Sequence, residues 1–201
     1  GIRDRDVTGV QTLCSSDLKD YVLVGHSMGG MVSLVHASMY PGRIGKLVVI
    51  DSVMLMPMER VKKMNERGVR PVKPYATRDE LITRYRLEGG EEQLTAPDVM
   101  RRMAEFSAKQ NDDGTWQHKA DRRVYSNFRQ IDGVPLWSKV KVPALAIRGG
   151  AASSRFTPAA MAEIHAHAPQ VQVATVHDSD HHVTLDNPRG FVEVVRQFLG
   201  T

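Results

Sequence analysis

The sequence has a single cysteine and no long hydrophobic run. Cys14 is the only cysteine among 201 residues, which excludes an intrachain disulfide and a zinc site built from several cysteines. A lone thiol is typical of a reducing compartment, so we expect a cytoplasmic protein. No stretch reaches the roughly 18 consecutive apolar residues that a membrane-spanning helix needs, and residues 1–20 lack a secretory hydrophobic region. We therefore expect no association with a membrane.

Acidic residues are fewer than basic residues, and the excess of basic residues lies in one segment. The chain has a formal net charge of +4, and residues 55–74 alone contain six basic and two acidic side chains. The six basic residues are Arg60, Lys62, Lys63, Arg67, Arg70 and Lys73. A nucleic-acid-binding stripe would interleave aromatic residues with these cations, and the segment has none, so we expect no nucleic-acid partner. Two interpretations stay open: a solvated helix face, or attraction of an acidic substrate or partner.

The N-terminal segment differs from the rest of the chain. Residues 1–18, GIRDRDVTGVQTLCSSDL, have neither helical nor strand periodicity. The pieces VTGVQT and CSSDL resemble translated sequencing adapters, which occur at the ends of assembled metagenomic contigs. We therefore expect residues 1–18 to be non-native and Cys14 to have no biological role. The chain would then be a fragment of a longer protein.

Short apolar runs alternate with helical segments in most of the remaining sequence, a rhythm typical of an α/β fold. Apolar runs predict buried strands at 21–25, 46–51, 142–149 and 171–176. The first of them, YVLVG, is rich in β-branched and aromatic residues and is expected to be buried on both faces. Helical spacing predicts helices at 28–40, 157–168 and 187–200, with Thr157 as an N-cap. Because a helix connects the first two strands, the sheet is predicted to be parallel.

Residues 55–137 interrupt this rhythm, because they are charged, helix-prone and without strand-like apolar runs. Amphipathic helices are predicted at 78–87 and 96–110, and a turn at 111–116. We therefore divide the chain after residue 18 into a core segment at 19–54, a helical cap at 55–137 and a second core segment at 138–201.

A glycine-flanked serine lies directly between the first predicted strand and the following helix, in GHSMG at 25–29. Reversing the chain within these few residues forces Ser27 into a strained conformation, and Gly25 and Gly29 leave room because they lack Cβ atoms. The Ser27 hydroxyl should then project above the carboxyl edge of the sheet. The N–H of Met28, at the start of the helix, is positioned to bind an oxyanion. This strand–turn–helix context makes G-x-S-x-G indicative of a nucleophile elbow.

VLVGHSMGG, followed about 20 residues later by LVVIDS, resembles the α/β-hydrolase superfamily in its cap-bearing, esterase-like branch. The resemblance covers nearly all of residues 21–199. It implies roughly eight strands, a helical cap after the sixth, and a triad in the chain order serine, acid, histidine. The four predicted strands correspond to the fifth to eighth of that template, so we expect a partial α/β-hydrolase fold. The resemblance also implies a second oxyanion N–H, from a loop after the third strand, which this chain lacks.

The resemblance also selects the base. The family pattern H-x-x-x-L-[DE]-x-P is matched by His181, Leu185, Asp186 and Pro188. This spacing favours His181 over its neighbour His182 as the group that accepts the serine proton. His26, inside the elbow, is expected to shape the turn or the pocket.

The position of the acidic residue of the triad differs from the usual family pattern. Most relatives place it in the turn after the seventh strand, where this chain has Ser154, and no carboxylate occurs between Val140 and Glu163. Some relatives take the acid from the end of the sixth strand, the position of Asp51. We therefore assign Asp51 as the acid. Three carboxylates near the histidine remain as alternatives: Asp178, Asp180 and Asp186.

These residues predict a serine hydrolase that acts on carboxylic esters of small molecules through an acyl-enzyme. Hydrolysis of C–C bonds and acyl transfer to another acceptor use the same triad and stay open, as does a truncated, inactive fragment. His165 and His167 lie two positions apart on a predicted helix and no HExxH motif occurs, so we expect no metal and no cofactor. The sequence does not predict the oligomeric state.

Aromatic residues are candidates either for an acyl pocket under the cap or for the core of the cap itself. They are Tyr75, Tyr85, Phe106, Trp116 and Trp137.

Overall fold

The computed structural model describes residues 18–87, 94–150 and 156–201. Cys14 and nearly all of the segment interpreted as non-native lie outside the described residues, as does Ser154. The strands are β1 (Tyr21–His26), β2 (Ile44–Ile50), β3 (Ala108–Gln110), β4 (Trp116–His118), β5 (Ala144–Gly149) and β6 (Gln172–Val176). The α-helices are α1 (Met28–Met39), α2 (Met58–Val69), α3 (Arg78–Thr83), α4 (Pro97–Ser107), α5 (Pro158–His167), α6 (Val183–Asp186) and α7 (Pro188–Leu199). None of the helices in the described ranges is long and apolar enough to cross a bilayer.

A four-stranded parallel sheet forms the centre of the molecule, in the spatial order β1, β2, β5, β6. The α/β class, the four core strands and their parallel pairing are therefore confirmed. Since the strands are parallel, their carboxyl ends meet at one edge of the sheet. His26, Ile50 and Gly149 are the last residues of three neighbouring strands at this edge.

Both faces of the sheet are covered, and residues 47–50 of β2 contribute buried apolar side chains to both of them. Leu47 and Val49 belong to a cluster with Leu34 of α1 and with α5. Val48 and Ile50 belong to the opposite cluster, against α7. Four apolar residues of α7, Phe191, Val194, Val195 and Phe198, pack on this second cluster. The two clusters fix the central strands from both sides and make the carboxyl edge a rigid platform.

β1 departs from the expectation that it is buried on both faces. Tyr21 and Leu23 pack on the α1 side of the sheet, whereas Val22 and Val24 are 42% and 47% exposed. The cause is its place in the sheet, since β1 is the outermost strand among the described residues and α7 covers the strands beyond it. An apolar sequence shows that a strand is compatible with burial. Whether the strand is buried depends on the elements that pack against it.

The predicted helices are present, but some of them begin or end at other residues than predicted. Thr157 caps α5 as predicted, because its hydroxyl accepts a hydrogen bond from the Ala160 N–H at 3.2 Å. In α1, Leu34 and Ala37 are buried against the sheet, whereas Met39 near the end of the helix is 62% exposed.

The inserted region contains helices and also a hairpin that the sequence did not predict. The helix expected at 96–110 ends at Ser107, and the helix expected at 78–87 ends at Thr83. Residues 108–110 instead pair antiparallel with 116–118 around the predicted turn, in which Gly114 has a φ of 83°. Three-residue strands carry too little periodicity to be recognised in a sequence.

Candidate active site

Ser27 occupies the single position between β1 and α1, with a φ of 55° and a ψ of −122°. A positive φ is unfavourable for a residue with a Cβ, so surrounding groups must hold this turn. The Ser27 N–H donates to the Ile50 carbonyl at 2.9 Å, and the Ser27 carbonyl accepts from the Ser52 hydroxyl at 2.6 Å. The last residue of β2 and the segment just after it therefore hold both the N–H and the carbonyl of Ser27.

The two glycines that flank Ser27 differ: Gly25 has the role expected of it and Gly29 does not. A Cβ on Gly25 would lie 2.4 Å from the Gly29 carbonyl oxygen, so the absence of a side chain is required there. A Cβ on Gly29 would meet nothing within 4 Å, so the expectation for this residue is wrong. Gly30 makes the second close approach instead, since its Cβ would lie 2.0 Å from the Ser52 hydroxyl. The motif alone cannot distinguish these positions, because the contacts come from β2 and the residues after it.

We expect Gly25→Ala to lower the free energy of unfolding by about 1–3 kcal/mol, because the new methyl group meets backbone that cannot move aside. Gly29→Ala is the matched control. Its methyl group enters open space in a helix and should raise the free energy of unfolding by about 0.5–1 kcal/mol. Urea unfolding followed by circular dichroism measures both variants. Equal stabilities would contradict this description of the turn.

The structure brings Ser27, His181 and Asp51 into one chain of hydrogen bonds. His181 Nε2 lies 3.0 Å from Ser27 Oγ, and His181 Nδ1 lies 2.7 Å from Asp51 Oδ2. An ionised carboxylate only accepts hydrogen bonds, so Nδ1 carries the ring proton and Nε2 is free to accept the proton of the serine hydroxyl. Asp51 is fully buried and His181 is 3% exposed, whereas Ser27 is half-buried and reaches the cavity.

Asp51 follows the last residue of β2 and is held with a φ of 40°. Its Oδ1 accepts the Gly149 N–H at 3.1 Å, and its own N–H donates to the Ile147 carbonyl at 2.7 Å. Both partners belong to β5, the neighbouring strand. The carboxylate is therefore oriented by the sheet itself, and its second oxygen faces the imidazole.

Two of the alternative carboxylates, Asp186 and Asp178, have other partners or positions. Asp186 Oδ2 accepts the Asp180 N–H at 3.0 Å, and Asp186 Oδ1 accepts the Thr95 hydroxyl at 2.5 Å. Asp186 thus ties the histidine loop to the segment before α4. Asp178 lies in the same loop with a φ of 53° and is exposed. These contacts make Asp186 an anchor of the loop.

Two further histidines pack around His181. The His26 ring lies 4.7 Å from the His181 ring, and His26 Nε2 donates to the His181 carbonyl at 2.6 Å. The His182 ring lies 5.7 Å from that of His26 and 5.0 Å from that of His181. His26 therefore joins the elbow to the histidine loop, in keeping with its expected role in shaping the site.

A cavity of about 660 Å³ opens above Ser27 and His181. Met28 lines it, and as the first residue of α1 it has an N–H without an acceptor inside the helix. Such an N–H, at the positive end of the helix dipole, can bind an oxygen that gains negative charge at Ser27. Cavities of this size accommodate small organic ligands.

The five aromatic candidates do not line this cavity among the described residues. Trp137 is fully buried in the sheet core and its indole N–H donates to Met54 Sδ at 3.2 Å. Tyr75 and Tyr85 pack against His118, and Phe106 is 77% exposed. The sequence interpretation missed the actual apolar lining, which includes Met28, Met31, Met56, Met64, Tyr125 and Phe128. The density of methionine at 54–64 is the signal that could have indicated it.

Comparison with known proteins agrees with this architecture. Residues 2–194 match the model of the alpha/beta hydrolase family. The chain is 27% identical to esterase Rv0045c of Mycobacterium tuberculosis over 186 residues, covering 89% of this chain and 60% of that protein. It is 26% identical over 190 residues to the mouse sn-1-specific diacylglycerol lipase ABHD11, covering 89% of this chain and 58% of that protein. The chain thus spans about three-fifths of the length of these curated relatives.

A solved structure with the same fold is that of E-2-(acetamidomethylene)succinate hydrolase. It superposes with a TM-score of 0.76 at 23% identity and covers 98% of this chain and 72% of that one. The family match extends over most of the sequence, and the parallel sheet, elbow and histidine loop occur in the order that the family requires. The chain therefore belongs to the alpha/beta hydrolase family.

Proposed function

We propose that this chain hydrolyses carboxylic esters through an acyl-enzyme formed on Ser27. The observation that carries the proposal is the chain of hydrogen bonds from Asp51 through His181 to Ser27, which ends at the cavity. The proposal is further supported by relatives that are named as an esterase and a lipase.

The first half of the reaction forms the acyl-enzyme. Ser27 Oγ attacks the ester carbonyl carbon while its proton passes to His181 Nε2, and the carbonyl π electrons move to the oxygen. The Met28 N–H donates to this oxyanion. When the carbonyl re-forms, the C–O bond to the alcohol breaks and the alcohol takes the proton from His181. Asp51 stabilises the imidazolium that exists between these two transfers and keeps the ring in the required tautomer.

The second half repeats the sequence with water. His181 Nε2 accepts a proton from water, which attacks the acyl carbon, and the proton returns to Ser27 Oγ as the acid departs. The imidazole–carboxylate pair is buried and the serine is held in a fixed turn, an arrangement that suits both halves of the reaction.

The test is hydrolysis by the 201-residue chain of two butyrate esters that differ only in leaving group, p-nitrophenyl and phenyl butyrate, with methanol added. A common acyl-enzyme should give the same ratio of butyrate to methyl butyrate from both esters, because the ratio is decided after the alcohol leaves. If the chain is folded, as shown by cooperative unfolding, and hydrolyses neither ester faster than buffer alone, the proposal is refuted. Ratios that follow the leaving group would refute the acyl-enzyme.

A further inference from the structure

The cavity above Ser27 combines apolar and cationic side chains. Four methionines line it: Met28, Met31, Met56 and Met64. Four cations also line it: Arg60, Lys63, Arg67 and Arg129. Among the described residues of the lining there is no aspartate or glutamate. The walls of this cavity therefore have a net positive charge, which neutral esters would not require.

The cations come from two elements that both line the cavity and pack against each other. Arg60, Lys63 and Arg67 lie at positions i, i+3 and i+7 of α2, which share one face of a helix. Arg129 follows the 3₁₀ helix Arg122–Tyr125. The two elements are tied together, since the Asn65 side chain exchanges two hydrogen bonds with the Phe128 backbone, at 3.0 and 2.6 Å. Lys62 is on a different face of α2 and does not line the cavity.

Only part of this charge is neutralised within the protein. Lys63 pairs with Glu59 at 2.7 Å, but both side chains are more than 70% exposed, so the pair is weak. The Arg67 guanidinium lies 5.8 Å from the centre of the Tyr125 ring. In the described part of the chain, no ion pair is formed by Arg60 or Arg129. Arg60 is half-buried, so its charge is screened less than that of a fully exposed arginine.

We propose that the ester cleaved here has an apolar segment next to the carbonyl and an anionic group, a carboxylate or a phosphate, which Arg60 and Arg129 bind. This inference rests on the proposed ester hydrolysis at Ser27. A guanidinium group can bind two oxygens of a carboxylate or of a phosphate through two N–H bonds, and a partly enclosed cationic cavity concentrates anionic ligands. The methionines accommodate the apolar segment because their side chains are flexible and polarisable.

The test compares two esters with the same eight-carbon diacid chain, mono-p-nitrophenyl suberate and its neutral methyl ester, by release of p-nitrophenolate. We expect kcat/KM for the anionic ester to exceed that for the neutral ester by about 10-fold at low salt. Arg60→Gln should reduce this ratio by about 5-fold or more, whereas the matched variant Lys62→Gln should leave it unchanged. A wild-type ratio of one or less would overturn the proposal. So would equal effects of the two variants on the ratio.

A binding measurement separates this inference from the proposed reaction. Octanoate, octyl phosphate and neutral octanamide are titrated calorimetrically into Ser27→Ala, which retains the cavity. If either anion binds more tightly than the amide and Arg60→Gln weakens that binding, the anion site is supported. If neither ester is cleaved at the same time, only the proposed reaction is wrong. The anion that binds more tightly shows whether the site prefers a carboxylate or a phosphate. Equal binding of all three overturns the anion site, whether or not the esters are hydrolysed.

Discussion

Replacement of Ser27 by alanine should lower kcat for p-nitrophenyl butyrate by about 10⁴-fold or more, because the variant has no oxygen that His181 can activate. Steady-state release of p-nitrophenolate measures the loss. The fold should be unaffected, since alanine keeps the Cβ and the same positive φ. Ser38→Ala is the matched control on α1, because its hydroxyl donates only to the nearby Val35 carbonyl. It should retain the wild-type rate.

Two companion variants show whether the Ser27 effect has the proposed cause. His181→Ala should cost nearly as much as Ser27→Ala, and the double variant should be no slower than either, because the two side chains act as one unit. Ser27→Gly should be equally inactive but more stable than Ser27→Ala by about 1 kcal/mol, since glycine tolerates the φ of 55°. Independent, multiplying effects of Ser27 and His181 would show that they do not cooperate.

We expect Asp51→Asn to lower kcat by about 10³–10⁴-fold while the substitution keeps the shape of the side chain. An amide that turns its NH₂ toward His181 Nδ1 forces the ring proton onto Nε2, and the serine hydroxyl then loses its acceptor. The backbone bond from Gly149 can persist because the amide oxygen still accepts it. The steady-state rate, measured on protein with a wild-type circular dichroism spectrum, gives the effect.

Asp186→Asn is the control for this substitution, because it makes the same chemical change in the histidine loop. Its oxygens hold the Asp180 N–H and the Thr95 hydroxyl, so we expect a loss of about 1–3 kcal/mol in the free energy of unfolding. Its kcat should fall by less than about 10-fold, since a disturbed loop anchor leaves the His181 proton in place. If Asp186→Asn is the slower variant, the acid has been assigned to the wrong residue.

The sequence predicts the sheet well because its strands are apolar runs separated by helical periodicity. β2 and β5 are central and buried on both faces, so their composition and their environment agree. β1 has a similar composition, yet it is the outermost strand of the described sheet and Val22 and Val24 are exposed. The local sequence indicates the propensity to form a strand, whereas the exposure of its side chains depends on which helices and strands pack against it.

The candidate site is predictable to the extent that local motifs determine it. The strand–Ser27–helix turn follows from the chain itself. The pairing of His181 with Asp51 joins residues 130 positions apart and was expected only through the family resemblance. The contact of Gly30 with Ser52 and the cationic face over the cavity needed the tertiary structure, because both depend on packing between distant elements. For the basic segment, composition left two interpretations, and the position of α2 is what favours the second.

Labelling with a fluorophosphonate, followed by mass spectrometry of the tryptic peptide spanning residues 20–43, tests the central claim most directly. This peptide contains Ser27, Ser33 and Ser38, so fragmentation must locate the adduct. We predict a stoichiometric adduct on Ser27 that forms far more slowly in Asp51→Asn and is absent in His181→Ala. A folded chain that stays unlabelled at Ser27, or that is labelled at the same rate without His181, would contradict the claim.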